Sequence, residues 1–452
     1  MVWPRALRPY LRGSGDIEVR SPGGAVLAAG RYAFGDAGAG GGLSSIGAAA
    51  LVVDKWGKLA TAPSEGLHLL LLRELDSVVA QLQRAGYAVS ITGGTLLGAV
   101  RAGNILERDD DADLVVYLGE AGPADVSLAS YGVQRALEAA GRQVIRHSDA
   151  HLQLPLEGGA NRAHVDVFLG FHHAGTYHQP IAVLGNLPVD AILPLGTVRL
   201  SDRSFPAVAD PERWLELCYG PAWRTPDPAF RFRTPVSTRR RFENWFGVYD
   251  LNRHFWEDWL ARSPWSWPVD ARRFSELLPP GARIIDVGAG TGINARVLAE
   301  RGHRVLAVDY ALTAVETAER RSAHTFEVRR VNAADRRDLI GLAADELAAG
   351  SAPNVLLSDV LAYVTRSTRA NIFRFLQLVL GSEGRSLASF PVNPSLRYEH
   401  ERPDSWHLPL DWLREEIRPF GLEFEVLGYG YRRTSAGVRR FASAMIRAGG
   451  GE

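Results

Sequence analysis

The sequence predicts an α/β protein with more than one domain, and three observations support this prediction. The chain has 452 residues, a length at which single hydrophobic cores usually give way to several domains. From residue 282 onward, strand, glycine-loop and helix patterns alternate, as in a doubly wound parallel sheet. Upstream, a strand with carboxylates at alternate positions follows a glycine turn and a short helix. We therefore expect two α/β units joined by a linker.

The composition excludes several classes of function. The chain has 51 Asp and Glu residues and 51 Lys and Arg residues, a balance that does not favour binding to nucleic acid or an anionic membrane. The longest apolar run near the start, residues 46–53, is too short to span a bilayer. Cys218 is the only cysteine, so no intrachain disulfide forms, and we interpret it as a buried helical thiol. We expect a cytoplasmic protein without a membrane span.

Changes in composition along the chain suggest four segments. Residues 1–62 are rich in Gly and Ala with short β-like pieces, and we assign them no function. The first α/β unit is expected over 63–228, the linker over 229–240, and the second unit over 241–452. Aromatic residues among charges between 242 and 267 indicate a helix pair that covers the second unit. An aromatic recognition surface is the alternative.

Hydrophobic periodicity predicts the elements of the first unit in order. Apolar residues at helical spacing over 66–85 predict an amphipathic helix, and the pattern that follows predicts a strand that leads into a glycine turn. Asp210 followed by Pro211 indicates the N-cap and first position of a further helix. The remaining predictions are strands over 87–91, 113–118 and 163–169 and helices over 131–141 and 210–219.

Three aspartates precede or begin the second of these strands. Asp109, Asp111 and Asp113 point to one face if the chain is extended there. At about 6 Å and an effective dielectric constant of about 20, each like-charged pair costs roughly 3 kcal/mol. Such a cluster is protonated, spread into solvent or neutralised by a divalent cation. The cation interpretation predicts a site for nucleotide phosphates.

A third strand adds Asp166 to this set. Two carboxylates on one strand and a third on its neighbour can hold Mg²⁺, which prefers hard oxygen ligands. Upstream, Gly93 and Gly94 let the backbone approach a phosphate, and the helix that continues through Thr95 contributes N–H groups. Two histidine groups, His147 with His151 and residues 172–173, are interpreted as loop residues and not as ligands.

The first unit also resembles a known family. The run from Gly94 to Arg101, Gly-Thr-Leu-Leu-Gly-Ala-Val-Arg, followed by Asp111-x-Asp113, is similar to the signature of the LicD/fukutin family. Later pieces of the chain match the same pattern, namely residues 165–168, 192–195 and 210–226.

This resemblance implies a nucleotidyltransferase-type α+β fold and a phosphotransferase. The expected activity is transfer of a phospho-alcohol or phospho-amine group from a CDP-activated donor to a glycan or small acceptor. By resemblance, Asp111, Asp113 and Asp166 are ligands of Mg²⁺ or Mn²⁺. Asp109 supports them or acts on the acceptor, and Arg101 contacts phosphate.

A second glycine-rich turn lies in the C-terminal half. A predicted strand ends at Asp286 and is followed by Gly288-x-Gly290-x-Gly292, which lacks the last glycine of a dinucleotide fingerprint. The next strand ends in Asp309, where a carboxylate can accept hydrogen bonds from ribose hydroxyls. The turn therefore predicts a site for a nucleoside cofactor.

This half resembles class I S-adenosylmethionine-dependent methyltransferases over residues 283–447. Asp335 follows the third strand, where it can cap an adenine amino group, and Asp359 ends the fourth strand. Tyr363 could orient the acceptor, while Asp359, Tyr363 and His407 are candidate bases. The last residues suit the terminal hairpin of a Rossmann-like seven-stranded sheet. The implied cofactor is S-adenosylmethionine.

The two sites together predict a bifunctional transferase that acts on a CDP-activated donor, transfers its phosphorylated group and methylates the same or a related substrate. Two alternatives remain open. The first half could be a non-catalytic domain that binds substrate for an active methyltransferase, or it could carry out nucleotidyl transfer in specialised metabolism.

Overall fold

A computed structural model describes most of the chain. The described residues are 13–21, 24–34, 51–53, 59–61, 65–107, 109–156, 163–180, 183–226, 234–262, 269–381 and 383–449. Within these residues the chain forms two compact units, Met1–Val248 and Tyr249–Glu452. None of the described helices is both long enough and apolar enough to cross a membrane. Parts of the predicted N-terminal segment and linker, including residues 229–233, lie outside the described residues, as do 263–267.

The first unit consists of thirteen strands and five helices among its described residues. The strands are β1 Ser14–Arg20, β2 Val26–Ala33, β3 Leu51–Val53, β4 Leu59–Thr61, β5 Ala88–Ile91, β6 Asp111–Glu120, β7 Ile145–Ser148, β8 His151–Pro155, β9 His164–His173, β10 Thr176–Gln179, β11 Val183–Gly185, β12 Gly196–Leu200 and β13 Arg203–Ala207. The helices are α1 Glu65–Arg84, α2 Gly93–Ala102, α3 Pro123–Ala139, α4 Pro211–Tyr219 and α5 Val236–Phe246.

A mixed sheet with strand order β11-β10-β9-β6-β5 forms the centre of this unit, and the β7–β8 hairpin pairs with β9 through β8. Strands β6 and β9 are parallel, and their register places Asp113 beside Asp166. The apolar stripe of α1 is buried in the core of the sheet at Leu71, Leu75 and Leu82, as its periodicity predicts. The sheet therefore brings carboxylates from distant parts of the sequence onto neighbouring strands.

The second unit contains seven strands and seven helices among its described residues. The strands are β14 Arg283–Val287, β15 Arg304–Asp309, β16 Glu327–Arg330, β17 Asn354–Ser358, β18 Ser386–Pro391, β19 Leu422–Thr434 and β20 Gly437–Ala448. The helices are α6 Arg253–Arg262, α7 Val269–Glu276, α8 Ile293–Glu300, α9 Leu312–Ser322, α10 Arg336–Ala348, α11 Arg366–Val379 and α12 Leu410–Ile417.

The strands of the second unit form one sheet in the order β16-β15-β14-β17-β18-β20-β19. The first five strands are parallel, and β20 inserts antiparallel between β18 and β19. Successive residues Ile284 and Ile285 are both fully buried and contact the cores on opposite faces. This confirms the predicted seven-stranded Rossmann-like sheet and its terminal hairpin.

The boundary between the units differs from the prediction. Helix α5 was expected to cover the second unit, but Phe242 and Phe246 lie in the core of the first. Asp149 also donates a backbone hydrogen bond to the carbonyl of Phe246 at 2.8 Å. The apolar face of α5 is therefore satisfied by its own unit, and residues 241–248 belong there. Their burial also rules out a recognition surface at Phe242 and Phe246.

Candidate functional site

The glycine turn after β5 is shaped by two carboxylates. Gly93 has a left-handed φ of 54°, and a Cβ atom there would overlap Oδ2 of Asp113. A Cβ on Gly94 would lie 2.7 Å from Oδ2 of Asp109. Both positions therefore require glycine, because the carboxylates approach the backbone too closely to leave space for a Cβ atom.

Hydrogen bonds fix this turn against β6. Oδ2 of Asp113 accepts from the Gly94 N–H at 2.8 Å, and the Asp113 N–H donates to Oγ1 of Thr95 at 2.8 Å. Thr95 is buried, and its side chain holds the turn in place. Asp109 lies before the first residue of β6, whereas Asp111 and Asp113 lie within that strand.

Asp111 and Asp166 meet beside this turn and are joined by His164. The side chains of both aspartates are buried, with each residue 8% exposed. Nε2 of His164 lies 3.6 Å from Oδ2 of Asp111 and 3.4 Å from Oδ2 of Asp166. The possible ligand atoms of the three residues are all within 4.8 Å of one another. Asp113 is the register partner of Asp166, and its Oδ2 accepts from Gly94.

The other carboxylate oxygen of Asp166 faces the β7–β8 hairpin. Nε2 of His151 lies 3.1 Å from Oδ1 of Asp166, and Gln153 donates to the same atom at 3.3 Å. Burial alone would raise the pKa of Asp166, but the imidazoles of His151 and His164 hold that pKa well below its usual range. His147 on β7 and His151 on β8 are strand residues, so their interpretation as loop residues is wrong.

His172 also lies in a strand and not in a loop. It is a buried residue of β9, where one ring nitrogen contacts the Tyr117 hydroxyl at 2.8 Å and the other contacts the Leu187 carbonyl at 2.6 Å. Both nitrogens are thus engaged by the fold. This arrangement gives His172 a role in the core of the unit.

The end of α4 borders the carboxylate site. Burial raises the pKa of Tyr219 well above its usual range, and the charges of Cys218 and Asp113 add to this effect. Burial likewise raises the pKa of Cys218, a half-buried thiol of α4 where the sequence predicts a fully buried one. Nη1 of Arg101 donates to the carbonyl of Trp223 at 3.4 Å. The sequence analysis assigned Tyr219 no role, although Tyr219 lies within residues 210–226, which match the family pattern.

These residues fit a divalent cation. Asp111 and Asp166 offer buried carboxylate oxygens, which Mg²⁺ and Mn²⁺ prefer, and His164 offers an imidazole nitrogen. A bound cation would neutralise two carboxylates that the parallel strands force together. The glycine turn beside them is lined by the carboxylates of Asp113 and Asp109.

In the second unit, the glycine loop after β14 has the backbone conformation that its sequence predicts. Gly288, Gly290 and Gly292 have φ values of 69°, 54° and 76°, all left-handed. Asp309 at the end of β15 accepts from the Gly290 N–H and the Ala311 N–H, each at 2.9 Å. Its carboxylate therefore joins the glycine loop to the neighbouring strand.

Asp286 lies beneath this loop and is 1% exposed. Burial, followed by the charge of Asp309, raises its pKa to about 8. Asp335 is the N-cap of α10, where its Oδ1 accepts from the Arg337 N–H at 2.9 Å. Asp335 thus stabilises the start of α10 with Oδ1, one of the two carboxylate oxygens that were predicted to recognise adenine.

A charged network lies at the carboxyl ends of β17 and β18. Asp270 accepts hydrogen bonds from Ser358 and Ser389 at 2.7 and 2.5 Å and pairs with Arg432 at 2.8 Å. Arg432 also lies 3.6 Å from Oδ1 of Asp359. Burial raises the pKa of Asp359, while Arg432 lowers it and Asp270 raises it again. Asp359 has a strained φ of 61°, and although its side chain as a whole is 42% exposed, its Oδ1 atom is buried.

Helix α6 covers the glycine loop. Cδ2 of Leu260 would lie 3.6 Å from a Cβ atom on Gly290. Oε1 and Oε2 of Glu257 accept from the N–H groups of Leu312 and Thr313 at 2.8 and 2.9 Å, so they cap α9. These contacts close the region between the glycine loop and α9.

An aromatic side chain lies beside Tyr363, the residue predicted to orient the methyl acceptor. The rings of Trp256 and Tyr363 lie 5.7 Å apart. Burial raises the pKa of Tyr363, and the charge of Asp359 raises it further. Burial, followed by the charge of Arg439, lowers the pKa of His407. The effect of the Asp359 charge on Tyr363 shows that these two candidate catalytic residues lie close together.

The fold defines a protein of two α/β units, the second with the strand order of class I methyltransferases. Residues 86–210 match the family model described as "LicD/FKTN/FKRP, nucleotidyltransferase domain". Residues 284–384 match the model described as "Methyltransferase domain". The chain thus carries a LicD domain followed by a methyltransferase domain, which confirms both resemblances. No curated protein matches the chain.

Solved structures similar to this chain include several methyltransferases. A TehB-like SAM-dependent methyltransferase from Corynebacterium glutamicum is 18% identical, covers 43% of this chain and 95% of its own, and has a TM-score of 0.30. A SAM-dependent methyltransferase from Anabaena variabilis is 18% identical over 44% of this chain and 94% of its own, with a TM-score of 0.33. Phosphoethanolamine N-methyltransferase 2 from Haemonchus contortus is 12% identical, covers 40% of this chain and 52% of its own, and has a TM-score of 0.31. The class rests on the family models and the strand order.

Proposed function

We propose that the chain is a bifunctional transferase. The first unit transfers a phospho-alcohol or phospho-amine group from a CDP-activated donor to a glycan or small acceptor, with Mg²⁺ or Mn²⁺. The second unit methylates the same or a related substrate with S-adenosylmethionine. The observation that carries the proposal is the meeting of Asp111 and Asp166 beside the Gly93–Gly94 turn, in a chain that also has a complete glycine-loop site.

In the first unit, a bound cation supplies positive charge for the phosphates of the donor. Asp111 and Asp166 hold that cation, and His164 is positioned as a further ligand. Asp109 lies at the edge of the turn, where its carboxylate can orient an acceptor hydroxyl. Arg101 would exchange its bond to the Trp223 carbonyl for a phosphate oxygen.

In the second unit, the sulfonium supplies an already activated methyl group, so the chain contributes mainly alignment. Asp309 is oriented by two backbone N–H groups, and a carboxylate has further lone pairs for ribose hydroxyls. Asp359 would receive the proton of the acceptor because its raised pKa brings it closer to neutrality. Tyr363 would hold the acceptor against Trp256.

The proposal is tested with the full chain, Mg²⁺, methyl-labelled S-adenosylmethionine and a set of CDP-linked donors that includes CDP-choline and CDP-ribitol. Mass spectrometry should detect CMP and a transferred phosphorylated group. Asp111→Asn should abolish CMP release while S-adenosylmethionine binding persists. Asp309→Ala should weaken S-adenosylmethionine binding by roughly 1.5–3 kcal/mol, since charge-assisted ribose bonds are lost.

The same experiment, with CTP added as a further substrate, separates the alternatives. Methylation without CMP release from any donor would favour a non-catalytic first unit that binds substrate. Pyrophosphate release from CTP in place of CMP release would indicate nucleotidyl transfer. The buried pair of Asp111 and Asp166 beside the glycine turn favours catalysis, because a simple binding domain has no need of it.

A further inference from the structure

Asp166 presents its two carboxylate oxygens to two different groups of residues. Oδ2 faces Asp111 and His164, as described above. Oδ1 faces the β7–β8 hairpin, where His151 lies 3.1 Å away. The proposed transferase activity uses only the first group, so the hairpin side of Asp166 needs its own explanation.

The hairpin side forms a compact set of possible metal ligands. The ligand atoms of His147, His151 and Asp166 all lie within 4.8 Å of one another, and all three residues are buried. The ring of His151 stacks on His147 with centroids 4.5 Å apart and on Phe168 at 4.4 Å. This stacking limits rotation of the His151 ring, whose Nε2 lies 3.1 Å from Oδ1 of Asp166.

The ligand atoms of His147, His151 and Asp166 differ chemically from those of the other group, in which Asp111 and Asp166 supply mainly oxygen. Two imidazoles and one carboxylate suit first-row transition metals such as Zn²⁺, whereas Mg²⁺ strongly prefers oxygen and retains its waters. We propose that His147, His151 and Asp166 bind a Zn²⁺-type ion at a site separate from the cation held by Asp111 and His164. Asp166 bridges the two ions through its two oxygens.

This site goes beyond the proposed function and does not depend on transfer activity. Its expected effect on the first unit is structural. An ion at Oδ1 fixes the carboxylate of Asp166 and so keeps Oδ2 directed toward Asp111 and His164. The strand pairing of β8 with β9 sets this geometry, since Gln153 and Asp166 are direct partners in the register.

The test uses the full chain, stripped of metal with a chelator and then titrated with Zn²⁺ or Co²⁺ in excess Mg²⁺. Wild type should bind one Zn²⁺ per chain, measured by elemental analysis. X-ray absorption of the Zn²⁺-loaded wild type should show two imidazole ligands. His147→Gln and His151→Gln should each weaken Zn²⁺ binding by at least about tenfold, the size of effect seen for changes near metal centres.

Matched variants identify the ion's position. His173→Gln lies on the same strand as Asp166 but outside both sets, so it should retain Zn²⁺ binding. His164→Gln and Asp111→Asn should also retain it, and they should lose Mg²⁺-dependent donor binding if the proposed function is correct. Absence of Zn²⁺ binding by wild type, or a spectrum with a single imidazole, would overturn the proposal. The X-ray absorption spectrum of the wild type tests the proposed ligands even if His147→Gln or His151→Gln fails to fold.

Discussion

Individual residues of the first site are constrained by close contact between charge and backbone. Gly93 adopts a left-handed conformation directly beneath the carboxylate of Asp113, which in turn accepts from Gly94. The aspartate therefore has two roles, as part of the negative site and as the group that fixes the turn. A change at either residue should alter both stability and cation binding.

Gly93→Ala should destabilise the first unit by roughly 1–3 kcal/mol from backbone strain, with a further loss because the new Cβ displaces Asp113. Urea unfolding measures the stability, and calorimetry measures cation-dependent nucleotide binding. Gly103→Ala is the matched control, since Gly103 has a φ of 66° but open space around its Cβ position. Equal losses in the two variants would contradict the predicted overlap with Asp113.

Asp286 should make the second unit less stable as pH rises. An unfolded aspartate titrates near about 3.9, whereas burial and the charge of Asp309 raise the pKa of Asp286 to about 8. Between pH 4 and 8, approximately, folding takes up a proton, so stability falls with increasing pH.

Asp286→Asn should therefore remove up to about 1.4 kcal/mol per pH unit from that slope. The measurement is the unfolding free energy of the second unit in the full chain, without cofactor, at several pH values. An unchanged slope in the variant would show that Asp286 is already ionised in the folded protein.

At the scale of elements, prediction succeeded where the signal was local. The helical stripe of α1, the N-cap of α4 and the glycine loop after β14 depend on residues close in sequence, and the structure has all three. The β7–β8 hairpin was missed as part of the site, because its pairing with β9 joins segments that no periodicity connects. Helix α5 was assigned to the wrong unit since amphipathicity does not reveal which core a helix joins.

Helix α6 provides the test at this scale. Glu257→Ala removes both bonds that cap α9, and such caps typically contribute about 0.5–2 kcal/mol. Hydrogen exchange should become faster in α6 and in residues 288–292. Glu300→Ala is the control, because its ion pair with Arg296 is exposed and should contribute little. Exchange that is unchanged in Glu257→Ala would show that α6 does not depend on this cap.

The whole molecule consists of two units that each bury their own apolar residues. The first core contains Phe242 and Phe246, and the second contains both faces of the seven-stranded sheet. Since the division falls between Val248 and Tyr249, the proline-rich stretch before α5 is not the boundary. Each unit should therefore be stable when separated at residue 249.

A fragment of residues 249–452 should be folded and should bind S-adenosylmethionine. A fragment of 235–452 should be less soluble, because α5 would expose Phe242 and Phe246 outside their core. Circular dichroism, calorimetry and light scattering measure these properties. If the longer fragment is the better behaved of the two, α5 stabilises the second unit and the boundary at Val248 is wrong.

The parallel register of β6 and β9 has a consequence for how this protein can change over evolution. Side chains on a strand alternate between faces, so one inserted or deleted residue within β9 would turn Asp166 away from Asp111. Substitutions around the site preserve that alignment, whereas changes in strand length destroy it in a single step. Descendants of this sequence should vary in length between strands and keep the lengths of β6 and β9 constant.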